Sequence, residues 1–136
     1  MSLVLDSSVT LAWLHEDEHA DGVYAVFDHL ITSGAVVPLH WPLEVANSLT
    51  VAIRRNRISA DHRAEFLANL ARLDIATDAN TNEHAWSAAL HLADLYNLTI
   101  CDAAYLELAQ RLRVPLATLD KDLAAAARKA GVEVRP

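Results

Sequence analysis

The sequence predicts an α/β fold: a doubly wound, mainly parallel sheet of short strands, flanked by helices. Three observations predict it. Apolar runs of three or four residues alternate with stretches whose apolar residues recur at helical spacing. The runs are continuously apolar, as in strands covered on both faces. The chain has 136 residues, 53% of them hydrophobic, which suits a single domain over 1–136 built on one core.

Leu3-Val4-Leu5 reads as a buried strand that ends at Asp6. Ser8 to His15 reads as a short helix. A second helix carries Val23, Val26, Phe27, Leu30 and Ile31 at helical spacing and stops at Gly34. Ala35-Val36-Val37-Pro38 is a second strand. Pro42 suits the first turn of a third helix, whose apolar face holds Val45, Leu49, Ala52 and Ile53. Ser59 can cap a fourth helix with Phe66, Leu67, Leu70 and Leu73 inward. Ile75-Ala76-Thr77 is a short third strand. Asn80 and Glu83 resemble a capping box for a fifth helix, with Ala85, Ala88, Ala89 and Leu92 on one face. Thr99 and Asp102 open a sixth, aligned on Tyr105, Leu108, Ala109 and Leu112. Pro115 to Thr118 is a fourth strand. Leu123, Ala126, Ala127 and Ala130 define a seventh helix closed by Gly131, and Val132 to Val134 forms a final strand.

The chain has 3 Gly and 4 Pro and no low-complexity tract, so long linkers are not expected. No apolar run approaches the roughly 20 residues of a membrane span. MSLVLDSS lacks a basic stretch and meets an acid at Asp6, so it does not read as a signal peptide. A lone cysteine, Cys101, leaves no internal disulfide and points to a reducing, cytoplasmic setting. The net charge is −7, opposite in sign to the usual footprint of a nucleic-acid binder. Four positive charges from two divalent cations would take −7 to −3.

In open α/β sheets, ligands sit beyond the carboxyl ends of the strands. Asp6 follows strand one and Asp120 follows strand four. Glu44 and Asp102 fall in the first turns of helices three and six. Each acid, taken singly, also suits a helix start, where terminal N–H groups and the dipole attract negative charge. Clustered without cations, the four would repel one another and some would protonate. Hard divalent ions with oxygen ligands relieve that, and no Cys or His stands at zinc-ligand spacing.

The acids sit in an ordered set of segments: Val4-Leu5-Asp6-Ser7-Ser8, Pro42-Leu43-Glu44-Val45-Ala46-Asn47, Ile100-Cys101-Asp102-Ala103-Ala104-Tyr105 and Ala117-Thr118-Leu119-Asp120. From Leu3 to Val134 this arrangement resembles the PIN-domain family, and within it the small VapC-type toxins of bacterial toxin–antitoxin pairs. The resemblance implies a three-layer sandwich and a metal-dependent endoribonuclease. It implies that Asp6, Glu44, Asp102 and Asp120 gather Mg²⁺ or Mn²⁺, with Ser7, Asn47 and Thr118 supporting the pocket. It implies RNA phosphodiester hydrolysis by metal-activated water, in line, leaving a 5′-phosphate and a 3′-hydroxyl. It also implies a VapB-type antitoxin partner and a homodimer. Asp120 and Asp122 both follow the Thr. Asp120 matches the family spacing better; Asp122 reads as a second contributor or as a surface acid.

Arg54, Arg55 and Arg57 cluster at the end of helix three. They complement the helix dipole there, or hold RNA phosphates. Arg111, Arg113, Arg128 and Lys129 read as dipole partners in last turns. Trp13 and Trp41 are expected in the core or at an oligomer contact rather than stacked on bases. His15 and His40 are expected to be solvated surface histidines, although a metal-free ribonuclease would need such a pair as acid and base. Cys101 reads as a small buried packing residue. The runner-up function is a non-catalytic PIN-like module that binds RNA or protein. A phospho-receiver is disfavoured, because strand one ends in a single Asp followed by two serines.

Overall fold

The computed structural model describes residues 2–14 and 21–136; nothing is stated for the side chain of Asp21. His15, expected at the end of the first helix, lies outside the described residues. The strands are β1 (Leu3–Leu5), β2 (Ala35–Val37), β3 (Ile75–Thr77), β4 (Leu116–Ala117) and β5 (Val134–Arg135). The helices are α1 (Ser7–Leu14), α2 (Asp21–Ser33), α3 (Trp41–Arg54), α4 (Ala60–Ala71), α5 (Ala88–Tyr96), α6 (Ile100–Leu112) and α7 (Lys121–Lys129).

All four strand pairings are parallel, in the order β3-β2-β1-β4-β5. The chain steps outward from β1 through β2 to β3, then returns to the other side of β1 for β4 and β5. The winding direction therefore reverses between β1 and β4, which is where such sheets open a crevice at their carboxyl edge. Leu3, Val4, Leu5, Leu116 and Ala117 are fully buried, so the two central strands are covered on both faces. Around them pack Val9, Leu30, Val45, Leu49, Tyr105, Leu106, Leu108 and Leu123.

The local signals act largely as expected. Gly34 and Gly131 take φ of 74° and 82°, the left-handed conformation that ends α2 and α7. At Gly34 a Cβ would also crowd Asp74, whose carboxylate oxygen would lie at 2.8 Å and whose carbonyl oxygen at 3.1 Å, adding to the positive φ that favours glycine. Ser59 caps α4 by accepting the His62 N–H, and Thr99 caps α6 by accepting the Asp102 N–H at 3.1 Å. Pro42 sits in the first turn of α3. Trp41 is buried, its indole N–H donating to Thr10 Oγ1 at 3.2 Å, and Trp13 stacks on Phe27 with ring centroids 4.2 Å apart. Trp41 belongs to the core, and Trp13, partly buried, packs against it.

Other expectations fail for identifiable reasons. Ile31 and Leu67 share their helices' apolar periodicity but stand in solvent, because the packed stripe of each helix is narrower than the pattern. Asn80 and Glu83 form no capping box. Asn80 makes no side-chain cap, residues Thr81–His84 form a 3₁₀ turn, and α5 starts only at Ala88. Ala88 is exposed and Ala85 lies before the helix. The chain there is claimed instead by Asp78, which accepts the Asn80 N–H and the Thr81 hydroxyl. The final strand lies at 134–135, displaced toward the C-terminus.

Candidate active site

Asp6 leaves β1 where the sheet's winding reverses, and it is a buried carboxylate with 4% exposure. Its Oδ2 accepts from the hydroxyls of Ser8 at 2.6 Å and Thr118 at 2.7 Å. Those hydroxyls are fixed in turn: Ser8 Oγ accepts the Leu119 N–H and Thr118 Oγ1 accepts the Asp120 N–H, both at 3.0 Å. The segments after β1 and β4 are thus laced together around one oxygen of Asp6. Among the described residues, its other oxygen has only Ser7 Oγ, at 3.5 Å. Burial, then the charges of Glu44 and Asp120, push the Asp6 carboxyl up from its ordinary pKa, against the pull of the two hydroxyls.

Asp120 is the N-cap of α7, accepting the Leu123 N–H on Oδ1 at 2.9 Å. The capping role and a site role are compatible, because one oxygen serves the helix and the other has no hydrogen bond among the described residues. Asp122 is exposed on α7. Glu44 stands in the first turn of α3, and its Oε1 accepts from the Tyr105 hydroxyl at 2.5 Å. Burial, that bond and the nearby acids hold the Tyr105 phenol far above its ordinary range, so it stays a donor.

Asp102 lies in the first turn of α6. Its carboxyl is pushed up to about 6, first by burial and then by Asp120, Asp6 and Glu44. All three other acids therefore bear on this one carboxylate. Glu44 and Asp120 bear on Asp6 as well. Acids spread over the sequence from position 6 to position 120 meet in one negative hollow. Among the described residues, no Lys or Arg forms an ion pair with any of the four. Each keeps carboxylate oxygen that no strong donor among the described residues takes. A hard divalent cation fits this donor set: it needs several oxygen ligands and would relieve the repulsion that raises Asp102.

Ser7 and Thr118 stand at this pocket. Asn47 does not join it by any hydrogen bond among the described residues; it is exposed one turn beyond Glu44. It lines a groove between α1 and α3 with Leu11, Leu14, Val51, Arg55 and Arg57. Arg55 is about 16 Å along the helix from Glu44, at a rise of roughly 1.5 Å per residue. Arg54 is exposed outside that groove.

Three residues near the acids were missed or misjudged from sequence. Ser8, at 2.6 Å, is a stronger partner of Asp6 than Ser7, at 3.5 Å, the serine the family resemblance implies. His40, expected in solvent, is half-buried: its Nε2 lies 3.1 Å from the Cys101 carbonyl oxygen and 3.7 Å from Glu44 Oε1. Its ring meets Tyr105 edge-on, with centroids 5.1 Å apart. Cys101 is exposed rather than buried, because the start of α6 faces the pocket rim. Ligand atoms of His40, Glu44 and Cys101 all lie within 4.8 Å of one another. Linear spacing had shown no such set, because the cysteine comes from a different helix. The visible clue was only the adjacency of Cys101 to Asp102.

A second acidic cluster lies past β3. Arg111 donates two bonds to Asp78, at 2.6 and 3.2 Å, and two to buried Glu107, at 2.8 and 3.0 Å. Arg111 is thus an ion-pair centre tying α6 to the end of β3, beyond any dipole role in its last turn. Its bonds hold the Asp78 carboxyl below its ordinary pKa.

No helix among the described residues is long and apolar enough to cross a membrane. A search of curated proteins finds no match. Among solved structures the fold is similar to PAE2754 from Pyrobaculum aerophilum, with TM-score 0.71 and 19% identity, covering 98% of this chain and 89% of that one. It is similar to FitAcB from Neisseria gonorrhoeae, with TM-score 0.65 and 15% identity over 97% and 95% of the two chains. It is also similar to VapBC2 from Rickettsia felis bound to a DNA fragment from their promoter, with TM-score 0.68 and 13% identity over 98% and 97%. At these identities the likeness establishes the fold. The PIN domain profile matches residues 3–129, a span that contains all four acids and every strand but the last. The chain therefore belongs to the PIN domain family.

Proposed function

We propose that this protein is a metal-dependent endoribonuclease of the VapC type, the toxin of a type II toxin–antitoxin pair. One observation carries the reading. Asp102 is raised to about 6 by burial and by three other acids, in a hollow where no Lys or Arg of the described chain offsets them. A hollow of that kind is costly to an empty protein and useful to one that loads a cation. PIN domain membership supports a nuclease in the same direction.

Asp6, Glu44, Asp102 and Asp120 would hold Mg²⁺ or Mn²⁺. Bound there, the ion would supply positive charge against the phosphodiester and lower the pKa of water at the site. The chain's own residues set the geometry. Ser8 and Thr118 fix the rotamer of Asp6, with Ser7 beside it. Tyr105 orients Glu44 by donating to one oxygen, and the α7 N-terminus orients Asp120 through the Leu123 N–H. Arg55 and Arg57, along the groove that Asn47 also lines, would hold RNA phosphates leading to the acids. Arg54 extends the same basic end of α3.

The further parts of the proposal are a VapB-type antitoxin as partner, a homodimer, residues 1–136 as one PIN-like domain, and a cytoplasmic setting. The VapBC2 and FitAcB folds support the antitoxin pairing by likeness. A non-catalytic module that binds RNA or protein is the alternative, and the presence of all four acids speaks against it. The test is RNA cleavage with Mg²⁺ or Mn²⁺, with EDTA, and with Asp6→Asn in place of the wild type. Cleavage that needs the ion and is lost in the variant supports the proposal. Undiminished cleavage in the variant or in EDTA overturns it.

A further inference from the structure

The hollow has a rim of different chemistry. His40 and Glu44 lie one turn apart at the start of α3, and Cys101 sits at the start of α6. Their imidazole nitrogen, carboxylate oxygen and sulfur lie within 4.8 Å of one another. Bonds of about 2.0–2.3 Å in a tetrahedral zinc site place ligand atoms roughly 3.3–3.8 Å apart. The three side chains therefore need only small rotations to close on one ion. The donor types are also unlike those of the hollow itself. Imidazole and thiolate suit zinc and its neighbours among the transition metals, whereas Mg²⁺ takes oxygen.

We propose that His40, Glu44 and Cys101 form a second metal site, for Zn²⁺ or another borderline-soft divalent ion, and that it draws on the same Glu44 as the acidic hollow. Three protein ligands leave a fourth, open position at the rim. Tyr105 supplies the outer support, since its hydroxyl already holds the Glu44 carboxylate and its ring packs against His40. On binding through Nε2, His40 exchanges its bond to the Cys101 carbonyl for the metal, the ring proton resides on Nδ1, and the thiol proton passes to solvent. Zinc held there engages Glu44 and deprives the hollow of one of its four acids. That inhibitory consequence rests on the nuclease reading; the site itself does not.

Cobalt(II) titration of the whole chain tests the site. Cys101 is the chain's one cysteine, so an intense thiolate-to-cobalt absorption band reports on that residue alone. The band should saturate at one equivalent and be displaced by Zn²⁺. It should be absent in Cys101→Ser, weakened about tenfold or more in affinity in His40→Ala, and kept in Asp6→Asn. No band in the wild type, or an unchanged affinity in His40→Ala, overturns the site. In RNA cleavage at saturating Mg²⁺, Zn²⁺ should inhibit the wild type at about tenfold lower concentration than Cys101→Ser. Equal inhibition of both overturns the sharing of Glu44. Absence of cleavage from both counts against the nuclease, and the cobalt band still decides the site.

Discussion

Asp78 and Asp102 are both partly buried carboxylates, and their neighbours treat them oppositely. Asp78 receives two bonds from Arg111, and its carboxyl is held low. Asp102 is buried beside three more acids, and its carboxyl is pushed up to about 6. One cluster carries its own cation inside the chain, and it joins α6 to the end of β3. The other leaves its charge unbalanced where the winding of the sheet reverses. Burial of charge without a partner works against folding. A protein that keeps such a site trades some stability for a place to hold something else.

The contrast is broken most severely at Asp6. Asp6→Asn should lower Mg²⁺-dependent RNA cleavage about 100-fold or more, since loss of a metal ligand exceeds the 10–100-fold cost of losing an outer support. The same variant should melt higher than the wild type in EDTA, because it removes one buried repelling charge. Arg111→Ala should do the reverse, destabilising by about 2 kcal/mol in urea unfolding. Truncating one member of a buried ion pair costs roughly 3–5 kcal/mol, and the partial exposure of Arg111 discounts that. If both substitutions shift stability in the same direction, the two clusters are not electrostatic opposites.

The pH dependences should also diverge. The Asp102 carboxyl titrates higher in the folded protein than in the unfolded chain. Its stabilising contribution is therefore fully present below the unfolded pKa, near 3.8, and is lost as pH rises through about 6. Asp78 is depressed, so its contribution is present above 3.8 and is lost as pH falls through its lower folded value. Metal-free wild type should gain stability on acidification from pH 7 to 5, and Asp102→Asn should flatten that gain in urea titrations. Affinity for Mn²⁺ should fall over the same interval as protons compete for the carboxylate.

Tyr105→Phe gives a smaller effect. It should cost about tenfold in cleavage or Mn²⁺ affinity and about 1 kcal/mol of stability, by releasing Glu44 from its hydrogen bond. The smallest shift is expected from Arg55→Ala with Arg57→Ala. RNA binding should weaken severalfold across sequences, with the salt dependence of log K reduced by about 1 per lost phosphate contact.

Much of the fold was legible in local pattern. Leu3-Val4-Leu5 is short, continuously apolar and ends at an acid, as a buried strand does, and Ser59, Thr99, Gly34 and Gly131 punctuate the helices through their side chains or backbone. The errors share a cause. Ile31 and Leu67 obey the helical period, but which part of an apolar stripe is covered depends on the neighbour packed against it. Asn80 and Glu83 had the right spacing for a cap, and Asp78, held by Arg111 from a helix more than thirty positions on, took over the turn.

The sequence by itself determined where five short strands fall to within a residue or two, where most helices begin and end, and that acids recur just after strands or in first turns. Those features depend on contacts within a few positions, and so they are written in the order of residues. Only the tertiary structure decided that Asp6 is gripped by Ser8 and Thr118, that Tyr105 reaches Glu44, and that His40 and Cys101 meet at the rim. Apart from Ser8, two positions from Asp6, the partners stand 61 to 112 positions apart. Side chains that far apart meet only once the parallel sheet has set its register, and no spacing along the chain encodes that meeting.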